Sequence, residues 1–169
     1  MPEPWTDVLD YACVWADGET EELGVVKKIT TNAYWNFGKN YDGTRSHAEG
    51  TTFKLTELLQ EDWADCRDMS ATVHVFAKGI GCSSLNVRRI DGPFVYKPIK
   101  PIGMILWQVD TWNFHQVANY SGIYDACLQL DPSNPRISLG EDINGTYKND
   151  LFDSGDWLPG IPFSYTEVK

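Results

Sequence analysis

The stretch Thr111-Trp112-Asn113-Phe114-His115-Gln116-Val117-Ala118-Asn119-Tyr120-Ser121-Gly122-Ile123-Tyr124-Asp125-Ala126-Cys127-Leu128-Gln129-Leu130 decides the fold. On either side of Tyr120-Ser121-Gly122 the apolar residues recur with period two, the mark of a half-buried strand. Even positions carry Trp112, Phe114, Ala118 and Tyr120, then Tyr124, Ala126, Leu128 and Leu130. Odd positions carry Asn113, His115, Val117 and Asn119, then Ile123, Asp125, Cys127 and Gln129. Both apolar sets fall on one face only if paired residue numbers sum to an even value, because a slip of one residue turns every side chain over. A three-residue loop with Gly122 in the left-handed position produces that register. His115 and Asp125 then share the other, more polar face, directly opposite or one diagonal step apart, within reach of each other.

Upstream of this hairpin, period two also predicts strands over 84–90 and 103–109, with a turn at Asp91-Gly92-Pro93. Earlier still the period changes. Leu23, Val26, Ile29 and Ala33 recur at spacings of three and four and predict a helix over about 19–35. Turn formers fill 38–46, and 51–59 reads as a short helix capped by Thr51 or Thr52. A third helix opens at Asp65, with Asp68 three residues on as a carboxylate version of the capping box. Met69, Val73, Phe76 and Ala77 form its buried stripe, and Gly79 and Gly81 end it. Helices first and an antiparallel meander after them make an α+β layout, N-terminal helices packed on an antiparallel β-sheet. One domain is expected over 1–169, with its core at about 19–131 and a loop-rich C-terminal extension, 132–169. A chain this long buries roughly 70% of its unfolded surface, enough for one core without staples.

The 14 basic and 24 acidic side chains leave a net charge of −10, which repels phosphate backbones and anionic lipid and so disfavours nucleic-acid and membrane partners. The longest apolar run, about 102–107, falls far short of the ~20 residues that span a bilayer. Met1-Pro2-Glu3-Pro4-Trp5 lacks the basic flank and apolar core of a signal peptide. Cys13, Cys66, Cys82 and Cys127 form no CxxC pair and no Cys/His spacing of the zinc type. The oxygen-rich runs 131–134 and 141–145 lack the spacing of a calcium loop. No metal or cofactor is expected.

Cys66 is the cysteine with a chemical claim. It falls in the first turn of the third helix, where the dipole and unpaired N–H groups favour a thiolate. With His115 as base and Asp125 as its orienter, it completes a nucleophile set for thiol acyl transfer. His74 lies about 12 Å along the same helix, too far to serve directly, and His47 sits in a polar loop and is expected to be solvated. Asp131 is the alternative orienter, but it lies far from His115 along the strand. Cys13, Cys82 and Cys127 read as core or disulfide residues, and the acidic cluster Glu61, Asp62, Asp65 and Asp68 as a solvated helix entry.

The run Leu58-Leu59-Gln60-Glu61-Asp62-Trp63-Ala64-Asp65-Cys66-Arg67-Asp68-Met69-Ser70, followed by a helix closing at Gly79, resembles the nucleophile motif of the transglutaminase-like superfamily. Phe114-His115-Gln116-Val117 and Ile123-Tyr124-Asp125-Ala126-Cys127 resemble its histidine and aspartate strand motifs, in the same order. The pattern differs at Val117, where the family usually has an aromatic, and in the short His115 to Asp125 spacing. The resemblance covers about 19–131. It implies a papain-like core and a Cys-His-Asp triad that attacks a peptide or carboxamide bond, as hydrolase or acyltransferase. Beside the Cys66 N–H, Gln60, Trp35 and Trp63 are the candidates for the second oxyanion donor. A peptide or protein is the implied substrate, and the acidic balance favours a cationic one. Two rivals stand beside this: an NlpC/P60-type cell-wall peptidase, which also starts a helix with a nucleophilic Cys, and a catalytically silent binding module on the same fold.

Overall fold

The computed structural model describes residues 4–169; Met1, Pro2 and Glu3, part of the stretch read for a signal peptide, lie outside them. The chain is a mixed α+β structure with a curled antiparallel sheet and five helices among the described residues. Helices α1 (Pro4–Trp15) and α2 (Glu22–Asn36) come first, then α3 (Leu55–Gln60), α4 (Cys66–Gly79) and α5 (Thr146–Leu151). The main sheet runs in the order Leu139–Glu141, Ile123–Tyr124, Thr111–Asn119, Asn86–Tyr96 and Phe152–Gly155, and Leu158–Pro159 also pairs with Asn86–Tyr96. No helix is long and apolar enough to cross a membrane among the described residues.

Helix α4 is the centre of the core. It packs against α1 and α2 on one side and against Thr111–Asn119 on the other, so it buries far more than one stripe. Its two buried hydroxyls are satisfied locally: Ser70 Oγ donates to the Arg67 carbonyl at 3.0 Å and Thr72 Oγ1 to that of Asp68 at 2.9 Å. Outside it, Tyr11, Trp15, Phe37 and Phe76 form a contiguous aromatic cluster that locks α1 to α2 and α4.

The hairpin has the expected register, Ala118 opposite Tyr124 and Asn119 opposite Ile123, both pairs summing to 242. Its loop is also three residues long, but Ser121 and not Gly122 takes the left-handed conformation, at φ 51°. Gly122 is needed for a different reason: a Cβ there would lie 2.5 Å from the Gly140 carbonyl oxygen of the neighbouring edge strand.

Other expectations are corrected. The strand read over 123–130 stops at Tyr124, because Asp125 turns the chain by accepting the Cys127 N–H on Oδ1 at 2.8 Å; Leu128–Leu130 pairs instead with Ile99–Pro101. No turn forms at Asp91-Gly92-Pro93. The strand continues through it to Tyr96 by a bulge, where a Cβ on Gly92 would lie 2.7 Å from the Trp112 carbonyl. Residues 103–109 are an irregular segment with Ile105 and Leu106 largely exposed. Thr51 and Thr52 cap nothing, since Thr52–Phe53 is a strand and α3 starts after Lys54. The loop-rich 132–169 segment supplies the strands at both edges of the main sheet, helix α5, and the strand Glu167–Val168 parallel to Thr52–Phe53.

His74, on α4, is buried with neither ring nitrogen hydrogen-bonded, so burial lowers its pKa from 6.5 to about 4, helped by Lys78. The unfolded chain takes up this proton below pH 6.5 and the folded chain only near pH 4, so stability falls as pH drops through that window. We expect His74 to cost about 3 kcal/mol of stability between pH 7 and pH 4. Urea unfolding of His74→Leu at the two pH values should show a pH dependence smaller by that amount than the wild type's.

Candidate functional site

Helix α4 begins at Cys66 because two carboxylates cap it reciprocally. Asp65 accepts the Arg67 and Asp68 N–H groups at 2.8 and 3.0 Å, and Asp68 Oδ2 accepts the Asp65 N–H at 3.1 Å. The cap leaves the Cys66 N–H unclaimed. Asp68 does more than cap: its Oδ1 accepts the Ser46 hydroxyl at 2.8 Å and the backbone N–H groups of His47 and Ala48 at 2.7 and 3.0 Å. Both acids are buried, so they are not part of a solvated helix entry. Nor is His47 solvated. Its Nδ1 lies 3.2 Å from Asp68 Oδ2 and its ring stacks on Trp63 at 4.0 Å between centroids, with Arg45 over the same indole.

His115 and Asp125 are hydrogen-bonded, His115 Nε2 to Asp125 Oδ2 at 2.9 Å, and both are essentially without exposed surface. The face they share is therefore covered, and its polarity is internal. Asp125 has two further donors: the Cys127 N–H on Oδ1 at 2.8 Å, and the Tyr147 hydroxyl on Oδ2 at 2.7 Å. Trp112 stacks on the imidazole at 4.9 Å between centroids. His115 Nδ1 is buried and has no hydrogen-bond partner. Asp131 is no orienter: it lies at φ 56° in a turn and accepts the Ser133 N–H and hydroxyl, which hold its carboxyl below the usual range.

At the Cys66 thiol the Gln116 backbone N–H, one residue beyond His115, favours the thiolate, and the charge of Asp125 opposes it. Cys66 and His115 are not hydrogen-bonded to each other in this state. Burial dominates: it pushes the Cys66 thiol well above its ordinary range, with Asp65 adding to the shift. The first-turn position is thus insufficient to ionise the resting cysteine. The Gln116 side chain donates to Ser70 Oγ at 2.9 Å and to the Tyr165 hydroxyl at 2.8 Å, pinning the strand to α4 just past the sulfur.

A cavity of about 260 Å³ opens at Cys66, lined by Tyr41, Tyr96, Trp112 and Phe114, by Asp65 and Asp110, and by Gln108. Its lining contains no basic side chain. Of the three oxyanion candidates none lines it. Gln60 is exposed at the end of α3, Trp35 is 57% exposed on α2, and Trp63 carries a buried, unpartnered indole N–H against His47. Tyr41, Tyr96, Gln108, Thr111 and Asn113 are the neutral polar residues present there in their place. Burial keeps the Tyr41 phenol protonated far above its ordinary pKa, so it is a donor at any working pH. Sequence reasoning had no local signal for Gln108 or Tyr147. Their positions follow from long-range packing of 103–109, which reads as a strand, and of 132–169, which reads as loop.

The four cysteines are free, and Cys13 is exposed rather than core; Cys82 and Cys127 are buried. Among the described residues no group of three His, Cys, Asp or Glu side chains is placed to hold a metal ion. Compared with family models, curated proteins and solved structures, the chain finds no match in any of the three.

The Asp68 cluster sets the position of Cys66, and its loss leaves the buried His47 and Asp65 N–H groups without acceptors and the Ala48 N–H with Ser46 Oγ alone. Asp68→Ala is expected to cost about 3 kcal/mol or more, measured by urea unfolding at pH 7. Asp62→Ala, an exposed acid of the same stretch, should stay within about 0.5 kcal/mol of the wild type.

Proposed function

We propose that the protein is a transglutaminase-like thiol hydrolase or acyltransferase that acts on a peptide or carboxamide bond through Cys66, His115 and Asp125. The observation that carries the proposal is the buried His115–Asp125 pair with one ring nitrogen unpartnered, on the strand whose Trp112 and Phe114 line the cavity at Cys66. In this reading a substrate carbonyl enters the cavity, and His115 Nδ1 takes the thiol proton as Sγ attacks. Because burial holds the resting sulfur protonated, proton transfer accompanies attack, which is general-base catalysis and not reaction of a preformed thiolate. Asp125, on Nε2, holds the ring in one tautomer and stabilises the imidazolium. The Cys66 N–H, with the Tyr41 hydroxyl or the Gln108 amide, receives the developing oxyanion. The imidazolium returns its proton to the leaving amine, and water or a second amine resolves the thioester.

The papain-like core belongs to this proposal. The antiparallel sheet carrying His115, with Asp125 at its margin and the capped cysteine helix packed beside it, supports it. A peptide or protein substrate with a cationic side chain near the acyl group fits the net charge and the Asp110 and aromatic lining of the cavity. One observation favours a silent binding module instead: a largely buried thiol that burial pushes above its ordinary range and that is not hydrogen-bonded to His115.

Alkylation by iodoacetamide, read at the Cys66 peptide from pH 5 to 9, separates the two. Catalytic function predicts a rate limb within this range that depends on His115 as base, and a drop of roughly 10²-fold or more in that limb in His115→Ala. A wild-type profile like that of an unperturbed cysteine, unchanged in His115→Ala, sinks the catalytic proposal. Glutamine-containing peptides set against peptidoglycan fragments then distinguish a transglutaminase-like activity from an NlpC/P60-like one.

A further inference from the structure

Helix α5 is only six residues long and lies in a part of the chain dense in glycine and proline, yet it is tied down on several sides. Arg136 forks between Glu141 of the edge strand and Asp150 of the helix. The Lys97 N–H bonds the Leu151 carbonyl at 2.8 Å, and Lys97 Nζ donates to the Asn149 carbonyl at 2.5 Å. This anchoring delivers one polar group into the interior. Tyr147 has no exposed surface, and its hydroxyl donates to Asp125 Oδ2 at 2.7 Å, the same oxygen that meets His115 Nε2 at 2.9 Å.

Two donors on Oδ2 and the Cys127 N–H on Oδ1 leave the carboxylate no rotation that keeps all three bonds. Burial, reinforced by the adjacent Asp125 charge, holds the Tyr147 phenol protonated well above its ordinary range, so it always donates. The other titratable groups that feel the Asp125 charge are the Cys66 thiol from α4, the Cys127 thiol and Tyr34 of α2.

We infer that Tyr147 is a positioning residue of the site: its hydroxyl fixes Asp125 and tempers the charge that Asp125 presents to His115. The inference rests on the function proposed above, and it makes the 132–169 segment part of the reacting assembly. A buried tyrosine also needs a partner simply to fold, so the test must read more than stability. Removing the hydroxyl leaves more negative charge on Oδ2 for the imidazolium N–H. His115 then holds its proton to higher pH, and its ring is held less firmly.

The experiment follows alkylation of Cys66 against pH in the full chain for wild type, His115→Ala, Asp125→Asn, Tyr147→Phe and Tyr147→Phe with Asp125→Asn. In Tyr147→Phe, the rising limb that depends on His115 should move up by roughly half a pH unit or more and lose roughly three- to tenfold in height. In the Asp125→Asn background the same substitution should change nothing further, since it acts through that carboxylate. If the wild type has no limb that His115→Ala removes, the proposed function fails and this inference with it. If the limb exists and Tyr147→Phe leaves it in place, or acts equally in both backgrounds, only the role of Tyr147 is overturned. Should Tyr147→Phe fail to fold, 3-fluorotyrosine at position 147 keeps every contact and is a stronger donor. It should move the limb to lower pH, and an unmoved limb overturns the inference.

Discussion

The buried carboxylate of Asp68 is the interaction on which the site depends. One side chain closes the cap of α4, fixes the backbone at His47 and Ala48, and bonds the Ser46 hydroxyl, all without solvent. A buried carboxylate is costly unless its lone pairs are filled, and here they are filled mostly by backbone N–H groups, which cannot move away as side chains do. The start of α4, and with it Cys66, is therefore set to the position of the 46–48 loop. Asp65, held beside it in the same dry region, is driven upward in pKa by burial and by the Asp68 charge, and Arg67 and the backbone offset part of that. The cysteine thus sits at a helix start whose positive dipole end is already occupied by two acids. Burial first, and the Asp65 charge after it, are why helix position alone leaves the thiol protonated.

A second buried carboxylate, Asp125, works by the same logic on the other wall. It interrupts its own strand by an Asx-type bond to Cys127, and that interruption frees the side chain from a regular ladder to meet both His115 and Tyr147. The two acids thus fix the Cys66 and His115 side chains from opposite elements. The Gln116 bonds to Ser70 and Tyr165 join those elements. Rigidity of this kind is what an acyl-transfer site requires, because misplacement of the base by an ångström costs orders of magnitude in rate.

How much of this was legible in the sequence varies with the range of the interaction. The α4 cap and the His115–Asp125 pairing are local or nearly so: Asp65 and Asp68 are three residues apart, and the hairpin closes over three residues, so spacing and period suffice to place them. The turn expected at Asp91-Gly92-Pro93 went wrong because the same residues suit a bulge, and only the neighbouring strand decides between the two. The apolar run of about 102–107 mimics a strand, but over 103–109 the chain pairs by a single bridge, Gln108 to Ile99, and Ile105 and Leu106 are exposed. His47 looked like a loop histidine because its partner Asp68 is 21 residues away in sequence.

By itself, then, the sequence determined the helix that starts at Cys66, the even register of the hairpin between His115 and Asp125, and an acidic chain with one cysteine in a distinctive setting. Those are consequences of caps and periodicities that act over a few residues. Only the tertiary structure decided that the polar face is dry, that burial outweighs the helix dipole at the thiol, that Tyr41 and Gln108 line the cavity where Gln60, Trp35 and Trp63 do not, and that Tyr147 holds Asp125. Each of these depends on which distant segment covers which surface, and desolvation and long-range hydrogen bonds leave no periodic trace in the chain that carries them.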